Sequence, residues 1–159
     1  MDPETAVLQR FLTEQRRHVV GILEGLTEEE LRRPMLPSGW HCLGMVKHLA
    51  LSDEHYWFRC VMNGESQEYF PEGPNADFQL APDETAADVF ALYAEEIAHA
   101  DRIIAATPLD QPPRQPPEWD MDLPDLRAVL LWVIKETACH AGHLDAAREL
   151  IDGRQWIVL

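Results

Sequence analysis

An all-α four-helix bundle with long crossover loops is the fold class this sequence predicts, and three observations point to it. Four stretches of roughly 20 residues place apolar side chains three and four apart, the spacing that lines one face of a helix. No stretch alternates apolar and polar residues as a half-buried strand does, and the only short candidate is the C-terminal Trp-Ile-Val-Leu at 156–159. The helical stretches are separated by runs of proline and glycine that no helix continues through.

Taken in order, the first helix spans residues 3–26, with Leu8, Phe11, Leu12, Val19, Ile22, Leu23 and Leu26 at helical spacing and Pro3 and Glu4 suited to its first turn. Thr27 followed by Glu30 forms a capping-box pattern, so TEEELRR reads as a short extra helix before the turn PMLPSGW. A second long helix runs from about Trp40 to Met62 and stops at Asn63-Gly64, its apolar stripe including Cys42, Met45, Leu49, Tyr56 and Cys60. Residues 64–84 lack a sustained helical period and break at several prolines and glycines, which predicts a long loop of the kind that is often functional. Thr85 and Asp88 open a third helix through Ala106, with Val89, Tyr93, Ile97, Ala100 and Ile104 facing the core. Residues 108–124 are too rich in proline for a helix, and Trp119 and Met121 within them are placed to cover something. The last helix opens after Pro124, runs to Ile151 and ends at Gly153.

At 159 residues the chain is long enough for one domain with a core, so a single domain over 1–159 is expected. Hydrophobic residues make up 46% of it, which excludes disorder, while no apolar run approaches the length needed to cross a bilayer. The start MDPETAVLQRF lacks the basic-then-apolar order of a signal peptide. Three cysteines, Cys42, Cys60 and Cys139, form no C-x-x-C pair and lie in apolar helical patterns, which suits packing residues in a reducing cytosol. A formal charge of −15 repels phosphate backbones and anionic membrane surfaces alike, so neither nucleic acid nor membrane is an expected partner.

Polar residues on the seam of the last helix carry the functional signal. Stepping by three and four along it gives Leu126, Val129, Val133, Glu136, His140, His143, Ala147 and Leu150. At 100° per residue, Glu136, His140 and His143 fall at relative angles of about 0°, 40° and 340°. Burying a carboxylate and two imidazoles costs several kcal/mol without a compensating partner, and a divalent cation is such a partner. Two ligands from one helix leave a site incomplete. The second helix offers His48, between Met45 and Leu49, as the third, leaving coordination positions open as catalytic metal sites do. A hydrogen-bonded polar network, or a wet helix end, would account for the same cluster. His41 and His55 read as rim residues, His18 and His99 as surface or satisfied histidines, and Asp53 and Glu54 as solvated or supporting carboxylates. Trp40, Trp57 and Trp132 read as core or interface aromatics.

The stretch LPSGWHCLGMVKHLALSDEHYWFRCVMNGE, followed by KETACHAGHLDAARELIDG, resembles the DinB/YfiT-like superfamily of metal-dependent enzymes over essentially the whole chain. More narrowly, it resembles an actinobacterial-type branch related to the mycothiol-dependent maleylpyruvate isomerases. That resemblance implies a bundle of the DinB/YfiT type with a metal triad of His48, Glu136 and His140, Glu136 standing where a histidine is common. It leaves His143 to replace Glu136 as a ligand, to support the ligands, or to act on substrate as acid or base; the last two come first, and His143 is the candidate catalytic residue. It further implies a Zn or Ni ion, mycothiol or bacillithiol as cosubstrate, a small electrophile, a homodimer and a role in stress or detoxification. A thiol S-transferase or isomerase-like enzyme is therefore the leading expectation. A metal-dependent hydrolase and a non-catalytic metal-binding or structural dimeric stress protein are its rivals.

Overall fold

The computed structural model describes residues 2–118 and 121–156, and every described element is helical. Trp119 and the last three residues of the candidate strand at 156–159 lie outside them. Helix α1, Pro3–Leu23, begins where the Asp2 carboxylate accepts from the backbone of Glu4 and Thr5. Helix α2, Glu28–Arg32, carries the capping box expected of Thr27 and Glu30. Helix α3, Cys42–His48, is capped by the His41 imidazole, which accepts from the Gly44 amide at 3.0 Å. After a long loop containing a 3₁₀ turn at Ala76–Phe78, helix α4, Ala86–Ala106, opens on the Thr85–Asp88 capping box. Helix α5, Leu126–Asp152, ends on Gly153 at φ 79°, a left-handed conformation that glycine adopts without a side-chain clash.

The second long helix differs from its α-helical expectation. From Leu49 to Met62 it is π-helical, bonded i to i+5. Packed chiefly against α4 and also against α5 and α3, this segment buries every residue except Ser52 and Arg59. The sequence reading took Asp53 and Glu54 as solvated or supporting carboxylates and His55 as a rim residue; all three are buried, which leaves only the supporting role for the first two. The wider turn and the central position turn residues inward that α spacing would leave at the edge. Arg59 and His55 both reach Glu96, at 3.0 and 3.1 Å, and Tyr69 stacks on the His55 ring at 3.4 Å.

Helices α1 and α5 pack side by side and run in the same direction. Arg127 meets Glu4 near their starts, while near their ends His18 meets Asp145 and Arg148 donates to the Ile22 carbonyl. Around these pairs lie two apolar clusters. One contains Val19, Ile22, Leu43, Val46, Tyr93 and Leu144; the other contains Leu12, Trp57, Phe58, Ile104, Leu126 and Val133. Between them each long helix contributes a polar residue: Arg16, Glu54 with Asp53, Glu96 and Thr137. Arg16 grips Glu54 through two bonds of 2.7 and 2.6 Å and reaches Asp101 at 2.8 Å. The Oδ2 of Asp53 and the hydroxyl of Tyr93 are buried in this region without a hydrogen-bond partner among the described residues.

The expected seam of α5 is displaced. Its buried residues run Val133, Thr137, Ala141, Leu144 and then Ala147 and Arg148, so the core line advances by four after Val133 rather than by three. Glu136 and His140 fall on the flank, His143 is exposed, and Leu150 is 57% exposed. Contact with α1 sets this rotation, which the spacing alone left open within one helical step. Phe11 and Cys139 are also exposed, against the expectation that the first faces the core and the second is a packing residue.

Candidate functional site

His48 ends α3, and His140 faces it from α5 with ring centroids 5.0 Å apart and planes nearly perpendicular. Each imidazole has its Nδ1 engaged. His48 Nδ1 lies 2.5 Å from Oδ2 of Asp77, in the 3₁₀ turn, and the same oxygen accepts from Ser52 Oγ at 2.7 Å. His140 Nδ1 lies 3.4 Å from Nδ1 of His143, one turn along α5. Glu136 stands a turn before His140, its Oε2 3.9 Å from His140 Nε2 and its Oε1 2.8 Å from Lys135 Nζ. His48, Glu136, His140 and His143 thus lie in one neighbourhood. Among the described residues, however, no three His, Cys, Asp or Glu side chains stand together as a formed metal cage.

Electrostatics favour a neutral imidazole at His140. Burial, reinforced by the neighbouring His48 and His143, pushes His140 down to about 4, with Glu136 pulling the other way. Burial raises Asp77, but the hydrogen bonds from His48 and Ser52 outweigh it and hold this carboxyl below its ordinary value. Asp53, one π-turn past His48, is pushed well above the carboxylate range by burial and then by the charges of Glu54 and Glu136. The donor types fit a divalent cation chemically: two imidazoles with their Nε2 atoms uncommitted to Asp77 or His143, and a flanking carboxylate.

Beside the cluster lies a cavity of about 760 Å³ lined by residues including Arg32, Trp40, His41, Asn75, Phe78 and Gln79. Phe78 stacks on the His48 ring at 4.1 Å, and the Trp40 ring stands 6.2 Å from that of His143, so the cavity walls adjoin both histidines. Of the other histidines, His41 caps α3, His55 is tied to Glu96, His18 to Asp145, and His99 lies within 3.8 Å of Glu95 on its own helix. None joins the cluster. Sequence reasoning missed Asp77, Ser52 and Phe78. Ser52 was reachable, being one turn from His48; Asp77 and Phe78 had no signal beyond the length of their loop.

Histidines from two helices, a flanking carboxylate and an adjoining cavity define the class: an all-helical bundle of the DinB-like kind with an imidazole-rich cleft. The chain belongs to the mycothiol S-transferase family, whose model, described as Mycothiol-S-transferase, matches residues 7–153. This is a DinB/YfiT-like family of the mycothiol-related branch, in agreement with the resemblance read from the sequence. No curated protein and no solved structure matches the chain. Among the described residues, no helix is long and apolar enough to cross a membrane.

Proposed function

We propose that the chain is a divalent-metal-dependent S-transferase of the cytoplasm that joins a low-molecular-weight thiol, mycothiol by the name of its family, to a small electrophile in stress or detoxification. One observation carries this reading: His48 and His140 meet from different helices with each Nδ1 already engaged, which leaves the two Nε2 atoms as ligand atoms. His48, Glu136 and His140 are the proposed holders of the cation, Zn or Ni. A divalent cation bound there lowers the proton affinity of a coordinated thiol, so that sulfur reacts as a thiolate at neutral pH.

The chain's own residues supply the rest. Asp77 and His143 support the two imidazoles from behind, each by accepting an Nδ1 hydrogen. The cavity lined by Trp40, Asn75 and Gln79 has room and polar groups for the body of a hydroxyl-rich thiol. The thiol gives up its proton to solvent on binding, and the thiolate sulfur forms its bond to the electrophilic carbon. His143, exposed at the cavity side with its hydrogen on Nε2 when its Nδ1 accepts from His140, is the acid that protonates the group carrying the displaced electron pair. In a substitution the leaving group departs with its bonding electron pair; in an addition the pair of the attacked multiple bond moves to the neighbouring atom, which takes the proton. A second copy of the chain is the proposed partner, covering the exposed Val7 and Phe11 of α1 and Leu131 of the adjoining α5.

Metal analysis of the untagged protein tests the reading, followed by conjugation of mycothiol to an electrophilic fluorophore with and without chelator. Stoichiometric metal in the wild type, lost in His48→Ala and His140→Ala, is the expected result. A protein that binds no Zn or Ni, or that turns over equally in chelator, overturns it. Turnover of esters or amides without added thiol would move the assignment to hydrolysis.

A further inference from the structure

The loop after the π-helical segment returns to touch His48 on two sides. Asp77 meets its Nδ1 at 2.5 Å, and Phe78 lies flat against the ring, 4.1 Å away and 15° from parallel. Asp77 is itself fixed: it is 7% exposed, and Ser52, one turn after His48, donates to the same oxygen at 2.7 Å. The turn that carries both residues is pinned to α3. A Cβ at Gly44 would collide with the Phe78 carbonyl, so glycine lets the turn settle against the helix. Lys47 then ties its far end through the Gln79 carbonyl at 2.9 Å and Glu84 at 2.7 Å.

An imidazole beside an ionised carboxylate donates to it, because the carboxylate has only acceptors to offer. That places the hydrogen of neutral His48 on Nδ1 and leaves the Nε2 lone pair free. We propose that Asp77 is the positioning residue of His48: delivered by the 3₁₀ turn Ala76–Phe78, it sets the tautomer and ring orientation that present Nε2 toward His140. This rests on the reading of His48 as a ligand, but only for its purpose, since the tautomer is a property of the metal-free protein as well. Asp77 touches no reacting atom and acts through His48.

Two readouts separate the parts. The ¹⁵N NMR spectrum of metal-free protein, recorded where imidazoles are neutral, reports which nitrogen of His48 carries hydrogen, and Zn²⁺ competition against a chromophoric chelator reports affinity. The wild type is expected to show protonated Nδ1. Asp77→Ala shifts hydrogen toward Nε2 and weakens Zn²⁺ binding about 10- to 100-fold. Asp77→Asn, whose amide oxygen still accepts, keeps the Nδ1 hydrogen and weakens Zn²⁺ by less than the alanine variant. A folded Asp77→Ala protein with the wild-type tautomer and Zn²⁺ affinity overturns the proposal while leaving the metal reading intact. A wild type that binds no Zn²⁺, yet whose tautomer changes in Asp77→Ala, upholds the positioning role and overturns the metal reading.

Discussion

Asp53 has a carboxyl oxygen that no described residue satisfies, and it sits beside Glu54 and within the field of Glu136. Burial pushes its pKa well above the ordinary value near 3.8, so the folded state holds a proton that the unfolded state releases. Its contribution to stability is therefore complete below that value and is lost as pH rises through the folded one. Asp53→Asn should be more stable than the wild type at neutral pH by about 1 kcal/mol or more, the gap closing toward pH ~4. Urea unfolding across a pH series checks this, and an unchanged midpoint at neutral pH would count against it. His140 has the opposite sign. Its folded value is lowered to about 4 from 6.5, so the unfolded chain binds the proton first and the metal-free protein loses stability as pH falls from 6.5 toward 4. His140→Asn should flatten that decline in the same titration.

Helix ends were legible because their signals are local. Thr27 with Glu30, Thr85 with Asp88, and Gly153 mark caps where the sequence places them. The π-helical register was not, because Cys42, Met45, Leu49, Tyr56 and Cys60 follow the three-and-four spacing of an α-helix, and nothing in that pattern marks the change of register after His48. The site divides likewise. His48 and His140 stood out as polar side chains at apolar positions, whereas Asp77 sits in a loop with no period, and its role comes from where the 3₁₀ turn lands. That landing makes Gly44 informative. Alanine in a helix is ordinarily favoured over glycine by up to about 1 kcal/mol, yet here its Cβ would collide with the Phe78 carbonyl and must lift the turn. Gly44→Ala should therefore lower the melting temperature rather than raise it, with faster amide exchange over residues 76–79 as the local signature.

At the scale of the whole molecule, the polar layer organises the bundle. Arg16, Glu54 and Glu96 lie between two apolar clusters, so the layer penalises any register in which one helix slides past the others and leaves a buried charge facing a cluster. The Arg16–Glu54 pair is the test of that view, with side chains 4% and 0% exposed and a bidentate geometry that no water can replace cheaply. Removing one partner leaves the other charged and buried, so Arg16→Leu should cost about 3–5 kcal/mol in urea unfolding. Arg16→Leu combined with Glu54→Leu removes both charges and extends apolar contact between the clusters, so the double variant should recover much of that loss. Additive losses would mean that the pair contributes through separate contacts, Arg16 through Asp101 above all, rather than as a unit. If the layer fixes register as well as stability, the recovered double variant should unfold less cooperatively, with a smaller dependence of free energy on urea than the wild type.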